Sequence, residues 1–426
     1  MKKILDLYKI LIPTKKIFRG LKNASYLAIA HIFSMAINLI GFIFIARLLG
    51  PDNYGIYTTV VAFVAMFDII TFYGINKVVL REGAKDLKQM SDFLEKTTGI
   101  KNLLTFFAIC ICIIFSLFTP YSVNIKIYII IFAFSLIYTS FNGFLSTVYK
   151  AAEKMQYNAI LTIINRTMFV SLSILFLYLG YGVLSLFIIA LFSEFFNLIL
   201  NFKLTKKFVI FKFWNRIIID KRLLKSALIF SILSFSFMLA GKIDLVMISF
   251  LGTTKDVGIY GVAYRIMALG LTTRDLISTA FFPIFVKSYH KSKIRWKSLI
   301  KYSVILGIGL FLLSLILSFF SEPLISLLLG GEYLESGTIL SVLIFAVAIA
   351  YFTIPFTNTL QATHNELQIL KICWIPPIVN IGLNYLFFNI FGLIGIAYST
   401  LIVTSAGLIL YFIITKRILK IQKKLI

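Results

Sequence analysis

The chain has 426 residues, of which 60% are hydrophobic and 14% charged, and its formal net charge is +25. A soluble domain carries about a quarter charged residues, so the composition excludes a soluble fold and, with it, the nucleic-acid partner that so basic a protein would otherwise suggest. The sequence holds no H-E-x-x-H, Walker loop, G-x-S-x-G or dinucleotide fingerprint, and Cys110, Cys112 and Cys373 all fall in apolar runs. The cysteines read as small buried hydrophobes, and neither a metal site nor a cofactor is expected.

Residues 1–23 are basic, with Asp6 the only acid, and contain no apolar core followed by a small-residue cleavage site. They are expected to form a cytoplasmic surface segment and not a signal peptide. Twelve apolar segments of spanning length follow, at 24–46, 54–76, 97–118, 125–148, 158–179, 182–202, 226–250, 257–285, 302–320, 336–360, 367–390 and 392–415. Each is near the roughly 20 apolar residues that a membrane helix needs. The long eighth segment is expected to be tilted or broken. Kinks are expected at Pro355 and Pro376-Pro377.

Basic residues set the orientation. Most of the 42 Lys and Arg lie in the N-terminal segment and in every second loop, while the alternate loops hold only Arg47, Lys126 and Lys255. Positive charge stays inside, so both termini are expected in the cytoplasm of a multi-pass cell-membrane protein. The basic loops would also touch anionic membrane lipids.

The two halves repeat. Leu49-Gly50 is followed by Gly55-Ile56-Tyr57, and Leu251-Gly252 by Gly258-Ile259-Tyr260, roughly half a chain length apart. Gly182-Val183-Leu184 and Gly392-Leu393-Ile394 open the sixth and twelfth spans. A duplicated fold is the expectation: an N-lobe of six spans at 24–202, a basic linker at 203–225, a C-lobe of six spans at 226–415 and a basic tail at 416–426. Because each half enters from the same side, the repeats should be parallel, related by an axis along the membrane normal.

At this point the sequence resembles a family. ARLLGPDNYGIY at 46–57, Gly74 followed by Arg81-Glu82, and KIDLVMISFLG…VGIYGVAYRI at 242–266 are similar to signatures of the polysaccharide or O-antigen lipid flippases. These belong to the multidrug/oligosaccharidyl-lipid/polysaccharide exporter superfamily. The resemblance implies an all-α membrane protein of about twelve helices in two six-helix lobes, V-shaped as in the MATE transporters. It further implies transport of an isoprenoid-pyrophosphate-linked oligosaccharide from the inner to the outer leaflet by alternating access, with no catalysis. Enzymes of glycan assembly would then be neighbours.

Eight charged residues fall within the predicted spans: Asp68, Arg166, Glu194, Lys242, Asp244, Arg265, Arg274 and Asp275. A charge in the bilayer centre costs about 2.5–3.5 kcal/mol, so these side chains should face an internal cavity or one another. Arg166, Lys242, Arg265 and Arg274 are the candidates for a substrate cavity, because fixed cations lower the barrier to a pyrophosphate and Arg matches phosphate with a planar fork. For Arg166 and Arg265, snorkelling toward the nearer membrane surface is the alternative. Asp68, Glu194 and Asp244 are the candidates for coupling to Na+ or H+, with a carboxyl satisfied by Ser or Thr as the plainer reading. Lys242 and Asp244 are two residues apart and point to different helix faces, so each needs a partner on another helix.

Two other functions compete. A cation-coupled multidrug exporter of the same superfamily would favour cavity acids, and charge counting alone does not separate it from a flippase. A membrane glycosyltransferase or polysaccharide polymerase would need a sizeable outer loop with a catalytic set. The longest outer stretch, SEPLISLLLGGEYLE at 321–335, is half apolar, and its glutamates read as a solvated rim.

Overall fold

The fold was examined in a computed structural model, which describes residues 15–72, 74–86, 90–209, 241–290, 296–363 and 366–425, with 235, 236 and 239. The first residues of the basic N-terminal segment, most of the linker at 203–225 and the start of the seventh predicted span lie outside the described residues.

The protein is all-α, with no strand among the described residues. In chain order the helices are α1 (Lys15–Phe72), α2 (Ile75–Lys85), α3 (Met90–Leu117), α4 (Val123–Ala133), α5 (Ser135–Ala151), α6 (Met155–Tyr178) and α7 (Val183–Thr205). They continue with α8 (241–251), then α9 (Thr254–His290), α10 (Trp296–Leu329), α11 (Leu334–Phe352), α12 (Ile354–Ala362), α13 (Glu366–Phe391) and α14 (Leu393–Leu425).

Among the described residues, nine helical stretches are long and apolar enough to cross a membrane. One of them, Ile32–Thr71, is 40 residues long and covers most of the first two predicted spans. The eighth predicted span is α9, a continuous helix of 37 residues that is neither broken nor apolar enough to count by composition. Its in-span charges, Arg265, Arg274 and Asp275, explain that. Large apolar side chains face outward, as at Leu312, Ile316, Phe319 and Phe320 of α10, which is the arrangement a hydrocarbon solvent permits and water does not.

The helix breaks fall in unexpected places. The polar turn expected between the first two spans shrinks to one residue: Gly50 alone leaves helical geometry, at φ 71°, and Pro51 follows within α1. A positive φ costs Gly nothing, and Pro is tolerated where a helix restarts because its missing N–H would be unpaired anyway. Pro355 does not kink a continuous helix but sits in the first turn of α12, beyond the break at Thr353. The fourth predicted span is also divided, at Phe134 between α4 and α5, without any proline.

Packing divides the chain into two compact units. The first comprises Met1–Ile45 and Phe67–Ile232, the second Ala46–Met66 and Leu233–Ile426. The segment 46–66, assigned by sequence order to the N-lobe, thus groups with the second half. In the first unit the core joins α2, α3 and α5 through Ile75, Val79, Met90, Leu94, Phe144 and Val148. In the second, Phe285, Leu299 and Phe356 pack with Trp296 and Phe412, and the Trp296 and Phe412 rings meet edge to face at 4.8 Å.

Candidate functional site

Each unit holds a polar cluster inside its helices. In the second unit the centre is Asp244 on α8, 4% exposed. Its Oδ1 accepts hydrogen bonds from Asn380 Nδ2 (2.7 Å) and Asn384 Nδ2 (2.8 Å) of α13. Its Oδ2 accepts from Tyr260 Oη of α9 (3.0 Å) and Thr400 Oγ1 of α14 (2.7 Å). Asn380 and Asn384 are four apart and so share a helix face, which lets both amides reach one carboxyl oxygen. Ser399 Oγ lies within hydrogen-bond distance of both amide oxygens and of Ile396 O, and can give its single hydrogen to one of them. Four helices therefore meet on one carboxyl group that has four donors.

Lys242 lies two residues before Asp244 and turns elsewhere, its Nζ 5.4 Å from the centre of the Tyr264 ring. Tyr264 Oη in turn donates to the Gly241 carbonyl. Arg265 is exposed. Neither cation forms an ion pair among the described residues.

Arg274 is placed differently. Its Nε donates to Ala350 O (3.3 Å), and Nη2 to Thr353 Oγ1 (2.8 Å) and Thr357 Oγ1 (3.5 Å). Its Nη1 pairs with Asp275 Oδ1 at 2.7 Å, directly and not through a neighbouring helix. One turn on, Ser278 and Asn358 exchange two hydrogen bonds of 2.9 Å. The fork thus clamps α9 onto the broken α11–α12 junction.

In the first unit Asp68 of α1 and Glu194 of α7 approach the same face of α5. Asp68 Oδ1 accepts from Thr71 Oγ1 (3.0 Å) and Thr139 Oγ1 (3.5 Å). Glu194 Oε2 accepts from Asn142 Nδ2 (2.8 Å), and Oε1 from Asn165 Nδ2 of α6 (2.8 Å). Thr139 and Asn142 are three apart, so the two acids sit about one helical turn from each other along α5. Arg166, next to Asn165, is exposed and makes no ion pair among the described residues.

A further charge belongs to this cluster. Lys101, near the start of the third predicted span, is completely buried. Its Nζ donates to Thr71 O (3.1 Å) and Asn76 Oδ1 (3.3 Å) and stands 5.4 Å from the Phe144 ring centre. Thr71 therefore links lysine and acid, giving its hydroxyl to Asp68 and its carbonyl to Lys101. The asparagines were also passed over. Asn197 with Asn201 and Asn380 with Asn384 are both Asn-x-x-x-Asn pairs inside apolar spans, a pattern that places two amides on one helix face.

A profile of the polysaccharide biosynthesis protein family matches residues 20–289, well over half of the chain. The chain belongs to this family. A curated relative, the capsular polysaccharide biosynthesis protein CapF of Staphylococcus aureus, is 31% identical over 163 residues, which make up 38% of this chain and 41% of that protein. The chain thus matches less than half the length of that relative.

Solved structures share the fold. An inward-facing MATE family multidrug resistance transporter of the MOP superfamily superposes with a TM-score of 0.72 at 14% identity, over 92% of this chain and 96% of that one. The lipid II flippase MurJ in an inward closed conformation gives 0.73 at 16% identity, over 92% and 87%. The family member described here is therefore a multi-pass membrane protein with the fold of those transporters.

Proposed function

We propose that the protein is a transporter, not an enzyme, and that it flips an isoprenoid-pyrophosphate-linked oligosaccharide from the cytoplasmic to the outer leaflet for surface glycan export. One observation supports this reading beyond family membership: Arg166, Lys242 and Arg265 fall in the spans expected from the sequence, and none forms an ion pair among the described residues. A cation kept in a membrane without a protein anion is costly, and a cargo bearing a pyrophosphate would supply the missing negative charge. Arg274, whose donors are taken by α11, α12 and Asp275, serves this proposal as a support and less as a cargo ligand. Asp68, Glu194 and Asp244 supply carboxyl groups for coupling to Na+ or H+.

The likeness to a MATE transporter gives the second reading, export of small drugs. Cationic drugs would be repelled by three unpaired cations, so the two readings separate in one experiment. Cells lacking their own flippase are complemented with this protein, and surface glycan and dye efflux are both measured. Restored glycan with unchanged efflux supports the flippase, and the converse result supports the drug exporter.

Placement in the plasma membrane belongs to this reading, and the distribution of Lys and Arg supports both termini and the 203–225 linker being in the cytoplasm. A reporter fused after Lys255 should report the outer side, and one fused after Lys206 the cytoplasm. Contact with glycan-assembly enzymes belongs to the same reading.

A further inference from the structure

The two units treat their basic residues differently. In the first unit, cations of the loop after the second predicted span find acids: Arg81 pairs with Glu82 at 2.9 Å and Lys96 with Asp92 at 2.6 Å. In the second unit no Asp or Glu occurs between Asp275 and Glu322, or after Glu366. Lys297 and Lys301 near the start of α10, and Lys416 and Arg417 toward the end of α14, are all exposed. None of the four forms an ion pair among the described residues.

Aromatic rings join the two groups. Trp296 packs on Phe412 at 4.8 Å and on Phe356 at 5.9 Å. Lys416 Nζ lies 5.9 Å from the centres of both the Trp296 and the Phe412 rings. A ring attracts an ammonium group but carries no charge to neutralise it. Lys297 follows Trp296 and Arg417 follows Lys416, so each helix brings two cations to this junction. Trp296 itself is only half-buried, which leaves part of the ring open.

The faces that carry the cations continue as apolar stripes. Lys297 and Lys301 are followed by Ile305, Ile308 and Leu312, which are 56%, 50% and 55% exposed. Arg417 is preceded by Ile413 and Ile409, 53% and 58% exposed. Residues three or four apart share a helix face. Each helix therefore shows a charged end and an apolar length, the order in which a phospholipid presents its headgroup and acyl chains. Depth agrees with this. The run 393–415 ahead of Lys416 is about 35 Å long at 1.5 Å per residue, enough to cross a hydrocarbon core of about 30 Å. Lys416 thus stands at headgroup level, where tryptophan is also favoured.

We propose that Trp296, Lys297, Lys301, Phe412, Lys416 and Arg417 form a binding site for an anionic phospholipid, whose acyl chains run along the apolar faces of α10 and α14. The phosphate diester supplies the negative charge that the junction lacks. A free phosphate would leave the two apolar stripes unused, which is why the lipid is the fitting occupant. The site lies within the second unit and goes beyond the transport reading, whose charge argument rests on Arg166, Lys242 and Arg265.

The test uses full-length protein carrying Trp214→Phe and Trp374→Phe, so that Trp296 is the only tryptophan, in nanodiscs of phosphatidylcholine. A small share of the lipid is replaced by phosphatidylglycerol with brominated chains or, in parallel, by brominated phosphatidylcholine. Bromine quenches indole fluorescence only at close range. Each basic side chain near an anionic surface contributes about fivefold in affinity. Phosphatidylglycerol should therefore quench at a mole fraction at least about tenfold lower than phosphatidylcholine. Lys297→Gln with Lys416→Gln should remove most of that difference. Lys203→Gln with Lys207→Gln takes the same charge from the first unit and should leave it unchanged. All four lysines are exposed, so both pairs should keep the parent unfolding midpoint in phosphatidylcholine. With all three tryptophans present, that midpoint should rise as phosphatidylglycerol is added, and the Lys297 and Lys416 pair should lose the rise. Equal quenching by the two lipids overturns the site. So does a preference that survives Lys297→Gln with Lys416→Gln, or one lost as fully in the Lys203 and Lys207 pair, which would mark a diffuse charge effect. Relief of quenching by free pyrophosphate at constant ionic strength would also overturn it, in favour of a soluble anion.

Discussion

Gly55 and Gly258, the matching glycines of the two repeated motifs, pack against each other backbone to backbone. A Cβ on Gly55 would lie 1.7 Å from Thr254 O, and one on Gly258 would lie 2.0 Å from Pro51 O. The two turns thus approach reciprocally, each glycine against the start of the other's motif. Both lie in the second unit, which is why Ala46–Met66 groups with the C-terminal half. Tyr333 Oη fastens the same segment by donating to Ala46 O at 2.8 Å.

Alanine at either glycine should therefore be poorly tolerated. The obstacle is a backbone carbonyl that cannot rotate aside, and overpacking typically costs about 1–3 kcal/mol. Gly258→Ala and Gly55→Ala should each lower the unfolding midpoint of the purified protein. Gly261→Ala is the control, because its Cβ would meet side chains and no backbone: Thr58 at 3.1 Å and Tyr54 at 3.6 Å. Equal midpoints for all three would show that the glycine contact is not required.

The Asp244 cluster predicts a graded series. Asp244→Leu strands four buried donors, and each buried polar group left unpaired costs about 1–3 kcal/mol. Little of this variant should accumulate in the membrane. Tyr260→Phe removes one of the four donors to the carboxyl group and should be mild. Quantitative immunoblotting of membrane fractions checks the order, and a level for Asp244→Leu equal to that of Tyr260→Phe would contradict it.

Lys101 should matter for stability even though no exposed surface advertises it. Lys101→Met keeps much of the apolar stem but strands the Thr71 carbonyl and the Asn76 side chain. A hydrogen bond from a charged group contributes about 1.5–3 kcal/mol, so the variant should unfold at a measurably lower temperature. Lys101→Arg should not rescue it, since a guanidinium is larger and the site has no exposed volume.

The four basic residues of the spans should fall into two classes. Arg166→Gln, Lys242→Gln and Arg265→Gln remove cations that form no ion pair with the protein. Each should reduce glycan export at normal protein level. Arg274→Gln breaks the clamp on Ala350 and Thr353 and should reduce the amount of protein as well. Export normalised to membrane protein level separates the classes. Near-normal export by all of the first three would remove the charge argument for a pyrophosphate cargo.

The sequence by itself determined the class of this protein. Apolar runs of spanning length, basic loops on alternate sides and the repeated Leu-Gly…Gly-Ile-Tyr turn are local or compositional properties, legible because a bilayer imposes the same length and polarity on every helix. It also located the in-span charges. Tertiary structure decided which partners those charges meet. Asp244 meets Asn380 across 136 positions of sequence and Thr400 across 156, and hydropathy carries no information about such pairings. From the sequence Arg274 is visible only as a deep charge; the structure adds that its fork meets Ala350, Thr353 and Asp275. Lys101 precedes an apolar run in the sequence, and only the fold of α1, α2 and α5 around it encloses its side chain. The asparagines carry no formal charge, so the distribution of charge along the spans does not pick them out. Once an amide is buried, its oxygen and nitrogen must each find a partner, and the helices that surround it determine which of the two does.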